Sequence, residues 1–141
     1  MTRRFKTRYQ AYNLAKHVWQ CKHCKCWHRI KPKKYCSICK HTEFYYFASE
    51  VEANYFAELS LLENAGLIMD LKTQVDLPLI VNDIKICSYI ADFTFIDTQG
   101  LNIHDVKANI DDKYLSPEFK IKRKLVKALY GVDVELIKRR S

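Results

Sequence analysis

Glycine is nearly absent: only Gly66, Gly100 and Gly131 occur among 141 residues. Three isolated glycines cannot spell a P-loop or a Rossmann fingerprint, which excludes the phosphate-cradling loops of nucleotide-driven and dinucleotide chemistry. Long apolar runs are lacking too. None approaches the roughly 20 residues that span a bilayer, and the first residues, MTRRFKTRYQ, hold no apolar stretch of the kind a signal peptide needs. No membrane partner is expected, and the expected compartment is a reducing cytoplasm. There, six cysteines read as metal ligands or buried thiols rather than as a disulfide framework.

Acid is scarce at the front of the chain. Residues 1–48 carry 12 Lys/Arg against the single acid Glu43, a net +11, whereas residues 49–141 carry 12 Lys/Arg against 15 Asp/Glu, a net −3. A basic front end ahead of a mildly acidic body suits a polyanion-binding appendage, because each phosphate neutralised releases counterions. Aromatics and cysteines interleaved with these charges argue against a merely solvated tail. Lys31, Lys33 and Lys34 are candidate phosphate contacts here, and Lys120, Lys122, Arg123 and Lys124 form a second basic group. With 48% hydrophobic and 28% charged residues the composition is globular, and the length allows one ordinary core plus a small appendage.

Along the chain, the spacing of Phe5, Tyr9, Tyr12 and Trp19 suggests a helix over residues 5–19. Cysteine-bearing turns fill residues 20–41. Ser49 is a natural N-cap for a helix with the apolar stripe Ala53, Phe56, Ala57, Leu61 and Leu62, closed by Gly66. Extended segments follow at about 67–74, 77–81, 84–87, 89–96 and 101–108, with Asn82-Asp83 as a turn, and these read as an antiparallel meander. Ser116-Pro117 starts a second helix, which ends at Gly131 and is basic on its polar side, and a last strand covers 132–137. The expected architecture is α/β: helices covering a mixed sheet over residues 46–141, behind a small module over residues 1–45.

Two constellations carry chemistry. Cys21-x2-Cys24 and Cys36-x2-Cys39 are paired knuckles that can close a tetrahedral thiolate site, for which zinc is the suited ion and structure the suited role. Cys26, His23 and His28 lie near enough in sequence to replace one of the four. The second constellation consists of acids within strands. Asp92 interrupts the apolar run from Tyr89 to Ile96, where burial without a partner or metal is costly. Asp105 and Lys107, two apart on a strand, project from one face. Two carboxylates on neighbouring strands can hold Mg²⁺, and a lysine beside them can serve an attacking water, which outlines metal-assisted phosphodiester hydrolysis.

The order of these features, a helix with Glu50 and Glu52, a strand with Asp92, then Asp105-x-Lys107, then a basic helix, resembles the core of PD-(D/E)XK nucleases. More closely, residues 49 to 131 resemble a phage-associated family of that class, on Ser49-x-x-Glu52, Gln74, Tyr89-Ile90-Ala91-Asp92-Phe93 and Asp105-Val106-Lys107. The resemblance implies a restriction-endonuclease-like core and a DNA endonuclease, by analogy one that cuts branched DNA such as Holliday junctions. It further implies catalytic Mg²⁺ or Mn²⁺ held by Asp92, Asp105 and Glu52, with Glu50 the alternative to Glu52, and Lys107 acting on the water. Ser49-x-x-Glu52 is equally a capping box, which gives Glu52 a purely structural reading. No proline precedes Asp92, and Ala108 stands where the family often has glycine. DNA is the expected partner, the host cytoplasm the expected location for a phage-encoded chain, and a homodimer an open arrangement. The alternatives are a zinc-dependent DNA-binding protein whose nuclease-like core is scaffold, and an RNA-processing enzyme.

Overall fold

The computed structural model describes residues 17–107 and 109–138. The chain forms two compact units, one ending at Tyr55 and the other beginning at Phe56. Among the described residues no helix is long and apolar enough to cross a membrane.

In the first unit β1 (Val18–Cys21) is the centre of a three-stranded antiparallel sheet, flanked by β2 (Trp27–His28) and β3 (Phe44–Phe47). Val18 pairs with Phe47, and Trp19 with His28 and with Tyr46, so the expected helix does not take in residues 18 and 19; residues 5–16 of that expectation lie outside the described residues. The strand prevails because Val18, Gln20 and Cys21 are buried along its length and its backbone is paired on both sides. The helix α1 (Glu50–Asn64) starts in this unit and ends in the next. The expected module boundary at residue 45 and the division after Tyr55 differ because the first turn of α1 is tied back to the module: Glu50 pairs with Arg29 at 3.4 Å.

α1 ends in a Schellman arrangement. Leu67 N–H donates to Leu62 O and Gly66 N–H to Glu63 O, with Gly66 left-handed at φ 78°, a conformation glycine adopts without cost.

The sheet of the second unit has the order β4-β5-β6-β7, from β4 (Met69–Val81), β5 (Ile84–Asp97), β6 (Gly100–Lys107) and β7 (Val134–Lys138). The first three strands form the antiparallel meander, and β7 joins β6 in parallel. Parallel pairing needs a crossover, and α2 (Pro117–Tyr130) supplies it. Ser116 Oγ caps it by accepting from Phe119 N–H at 3.1 Å, and Pro117 occupies its first position. The unit is thus mixed α/β, with a mixed four-stranded sheet. Its core joins Leu77, Leu79, Tyr89, Ala91 and Ile103 of the sheet to Val126 of α2 and Val134 of β7. Phe56 of α1 stacks on Phe93 at 6.2 Å.

The segments expected as four short strands between 67 and 96 are two long ones. They turn at Asn82 and Asp83, both left-handed (φ 49° and 65°), as a tight hairpin requires.

Candidate functional sites: a cysteine cluster and a carboxylate fork

In the first unit the two knuckles share one geometry. Cys21 N–H donates to Cys26 O and Lys25 N–H to Cys21 O; in the second knuckle Cys36 N–H donates to His41 O and Lys40 N–H to Cys36 O. Lys25 and Lys40 occupy the same place in each turn and both are left-handed, at φ 63° and 66°. The turns aim their thiols inward: Cys21, Cys24, Cys36 and Cys39 lie close enough together to bind a metal ion. Cys21 Sγ stands 3.4 Å from Cys39 Sγ, and Cys24 Sγ 3.6 Å from Cys36 Sγ. The Cys39 N–H holds the Cys36 thiol down to about 5, against burial, so this thiol enters the cluster as a ready thiolate. Of the neighbours singled out in the sequence, His23 stacks on His41 at 3.7 Å on the surface, and Cys26 and His28 face Cys36.

In the second unit β5 and β6 are paired from Asp97↔Gly100 to Phe93↔His104. Beyond His104 the ladder stops, and two side chains replace it. Asp105 Oδ1 accepts from Asp92 N–H at 2.8 Å, and Asp92 Oδ2 accepts from Val106 N–H at 2.9 Å. Each carboxylate thus occupies a backbone acceptor's place on the opposite strand and props open a fork between them. Asp105 also accepts from the Tyr89 hydroxyl, and Asp92 Oδ1 from Gln74 Nε2 at 3.4 Å. Gln74 reaches Asp92 from a left-handed position in β4 (φ 50°), an unusual conformation for a strand residue that is not glycine.

Asp105 is buried, and burial pushes its carboxyl up to about 6 against the Asp92 N–H and the charges of Lys107 and Arg123. Burial raises Asp92 as well, opposed by the Val106 N–H, Lys107 and Gln74. A cavity of about 330 Å³ opens beside the fork, lined in part by Asp105, Lys107, Ser116, Phe119 and Lys122. Lys107 extends its ammonium over the Phe119 ring, 4.2 Å from the centroid. Oxygen-only donors on two opposed strands fit a hard divalent cation, although within this unit no third His, Cys, Asp or Glu among the described residues joins the pair.

Glu52 is buried at the start of α1, where its N–H donates to Ser49 Oγ and its Oε2 accepts from Ala48 N–H, both at 3.2 Å; this is the capping arrangement in a variant that reaches one residue further back. Glu50 is held by Arg29, and burial raises its carboxyl. Lys31, Lys33 and Lys34 are exposed on the loop after β2. On α2, Lys120 pairs with Asp112 at 2.9 Å and Lys122 with Glu118 at 3.1 Å, while Arg123 donates twice to Val134 O at 3.1 and 2.8 Å. Arg123 therefore ties α2 to β7, and Lys124 is exposed, its charge helping to lower the Asp112 carboxyl. Sequence reasoning missed Phe119, and it quoted Tyr89 in a motif without foreseeing its contact to Asp105. Phe119 reads as an ordinary apolar helix position, and the Tyr89 contact to Asp105 spans two strands, so neither leaves a local signal.

No family model, curated protein or solved structure matches this chain.

Proposed function

We propose that this protein is a metal-dependent DNA endonuclease of the PD-(D/E)XK type, with a zinc-bound basic module ahead of its catalytic unit. The observation that carries the reading is the fork. Asp105 is buried and Asp92 partly so, where charge is costly; the two are held by reciprocal amide contacts, and Lys107 lines the same cavity as Asp105, two residues on. Stability alone does not call for this arrangement, since two backbone carbonyls in their place would continue the ladder.

In this reading Asp92 and Asp105 hold Mg²⁺ or Mn²⁺, which when bound polarises the phosphate and acidifies a water. The chain's own groups do the rest. The amides of Asp92 and Val106 fix the two carboxylates, and the Tyr89 hydroxyl orients Asp105. Lys107 has to leave the Phe119 ring to reach the water, and Lys122 and Ser116, which line the same cavity, would take phosphate oxygens. Glu52 caps α1, and its role in the metal shell rests on motif order alone. In the first unit Cys21, Cys24, Cys36 and Cys39 hold a structural zinc, a closed set of soft ligands with no position left for substrate. Exposed Lys31, Lys33 and Lys34 contact the DNA backbone.

One observation favours the scaffold alternative: both oxygens of Asp105 already accept from protein donors. Incubating the protein with supercoiled, linear, flap and four-way DNA in Mg²⁺, against an RNA competitor, separates the readings. The expected result is Mg²⁺-dependent cleavage of DNA, lost by orders of magnitude in Asp105→Asn and slowed in Lys107→Ala with metal affinity kept. DNA binding without cleavage on any substrate establishes the scaffold reading instead.

A further inference from the structure

The metal-ligand chemistry of the first unit does not end with the four knuckle cysteines. Cys26 Sγ lies 3.2 Å from His28 Nε2 and 3.2 Å from Cys36 Sγ, and Cys36 Sγ lies 3.6 Å from His28 Nε2. Bond lengths to zinc of about 2.3 Å for sulfur and 2.0–2.1 Å for nitrogen place tetrahedral ligands roughly 3.4–3.8 Å apart. The Cys26–His28–Cys36 triangle is therefore nearly one face of a tetrahedron, as compact as the quartet, whose Cys21–Cys39 and Cys24–Cys36 edges are 3.4 and 3.6 Å. The two groups share Cys36.

We propose that this module binds two divalent metal ions, with the Cys36 thiolate bridging the quartet to a second site made by Cys26 and His28. A thiolate has lone pairs enough for two metals, and Cys36 is the one residue common to the two groups. The nearest further sulfur is Cys24 Sγ, 3.1 Å from Cys26 Sγ.

Local structure explains why these residues converge. Cys26 ends the first knuckle, its carbonyl accepting from Cys21 N–H at 3.0 Å, and His28 follows two residues later on β2, which brings its Nε2 to the Cys26 thiol. With one ion in the quartet, a fifth thiol and an imidazole would crowd a thiolate that is already coordinated. A second ion joins all three, and its charge more than offsets that of a Cys26 thiolate. The ions fitting two or more sulfurs and one imidazole are zinc and, as a spectroscopic stand-in, cobalt(II).

The proposal rests on the quartet binding metal, and metal counting separates the two. Full-length reduced apoprotein would be titrated with Co²⁺, followed by sulfur-to-cobalt absorption, and separately loaded with Zn²⁺, desalted and analysed for metal per chain. The expected result is two equivalents for the wild type and one for both Cys26→Ser and His28→Gln, with the thiolate absorption of the quartet and the far-ultraviolet circular dichroism retained. His28→Gln leaves every thiol in place, so it reads the second site even where Cys26→Ser disturbs the turn. A wild type saturating at one equivalent overturns the second site and leaves the quartet standing. Two equivalents that survive both substitutions overturn it too, by moving the second ion elsewhere, such as the exposed group of His23, Cys39 and His41. No bound metal overturns both.

Discussion

Asp105 is stored in the fold at a cost that metal binding would relieve. Its carboxyl is pushed up from 3.8 to about 6 by burial, so the folded, metal-free protein holds this proton more tightly than the unfolded chain does. Below about pH 4 both states are protonated and Asp105 has no effect on the balance. Between pH 4 and 6 the unfolded chain releases the proton first, so stability falls as pH rises, and above 6 the whole penalty is present, at most about 3 kcal/mol. His104 works in the opposite sense. Burial lowers its pKa, against the charges of Glu135 and Asp97, so it costs stability as pH falls through the region of 6.5. Comparing each protein with its Asp105→Asn counterpart removes the His104 contribution. Asn fills the same space, and its Oδ1 can still accept from Asp92 N–H while the Tyr89 hydroxyl turns to accept from Nδ2. In metal-free urea titrations the variant is expected to match the wild type near pH 4 and to be the more stable above pH 6. Equal stabilities at pH 7 would show that Asp105 carries no buried-charge penalty.

At the level of turns and strands, the knuckles put lysine where backbone geometry favours glycine. A left-handed conformation costs a residue with a Cβ about 1 kcal/mol, and Lys25 and Lys40 both adopt it. Lys25→Gly and Lys40→Gly should each raise stability by up to about that amount, offset by glycine's greater freedom in the unfolded chain. Slower release of bound metal to a chelator is the measurement, and faster release would mean that the lysine side chains, which lie over Tyr45 and Tyr35, stabilise the turns more than the backbone strains them. Neither φ value was legible in the sequence, because Lys is not a residue that announces a left-handed turn. The cysteine spacing, by contrast, located both turns. The same contrast runs through the second unit. Ser49, Gly66, Ser116, Pro117 and Gly131 mark helix ends by local chemistry and could be read directly. The continuity of β4 and β5 could not, because Asp76 and Ser88 look like interruptions until a neighbouring strand satisfies their backbone. Asp92 and Asp105 stood out as acids within apolar runs, but their exchange of amides depends on where two strands part, which no single segment encodes.

For the molecule as a whole, the proposed function divides the work between the two units. The +11 of residues 1–48 would supply affinity and the fork the chemistry, so added salt should raise KM for DNA while leaving kcat nearly constant. Replacing Lys31, Lys33 and Lys34 with Gln should lower the slope of log affinity against log salt by about 0.9 for each phosphate no longer neutralised. An unchanged slope would transfer the phosphate binding to α2. The last consequence concerns the outer strand of the sheet, β4, whose far side has no partner strand among the described residues. Such a border is an invitation to fibre growth, since a stray chain can extend it hydrogen bond by hydrogen bond. Here the invitation is withdrawn at intervals: Asp70 and Gln74 turn the backbone left-handed, and Pro78 has no N–H to offer while its carbonyl is taken by the Tyr130 hydroxyl at 2.8 Å. The irregularity that lets Gln74 reach Asp92 therefore also leaves a misfolded neighbour no straight template to copy.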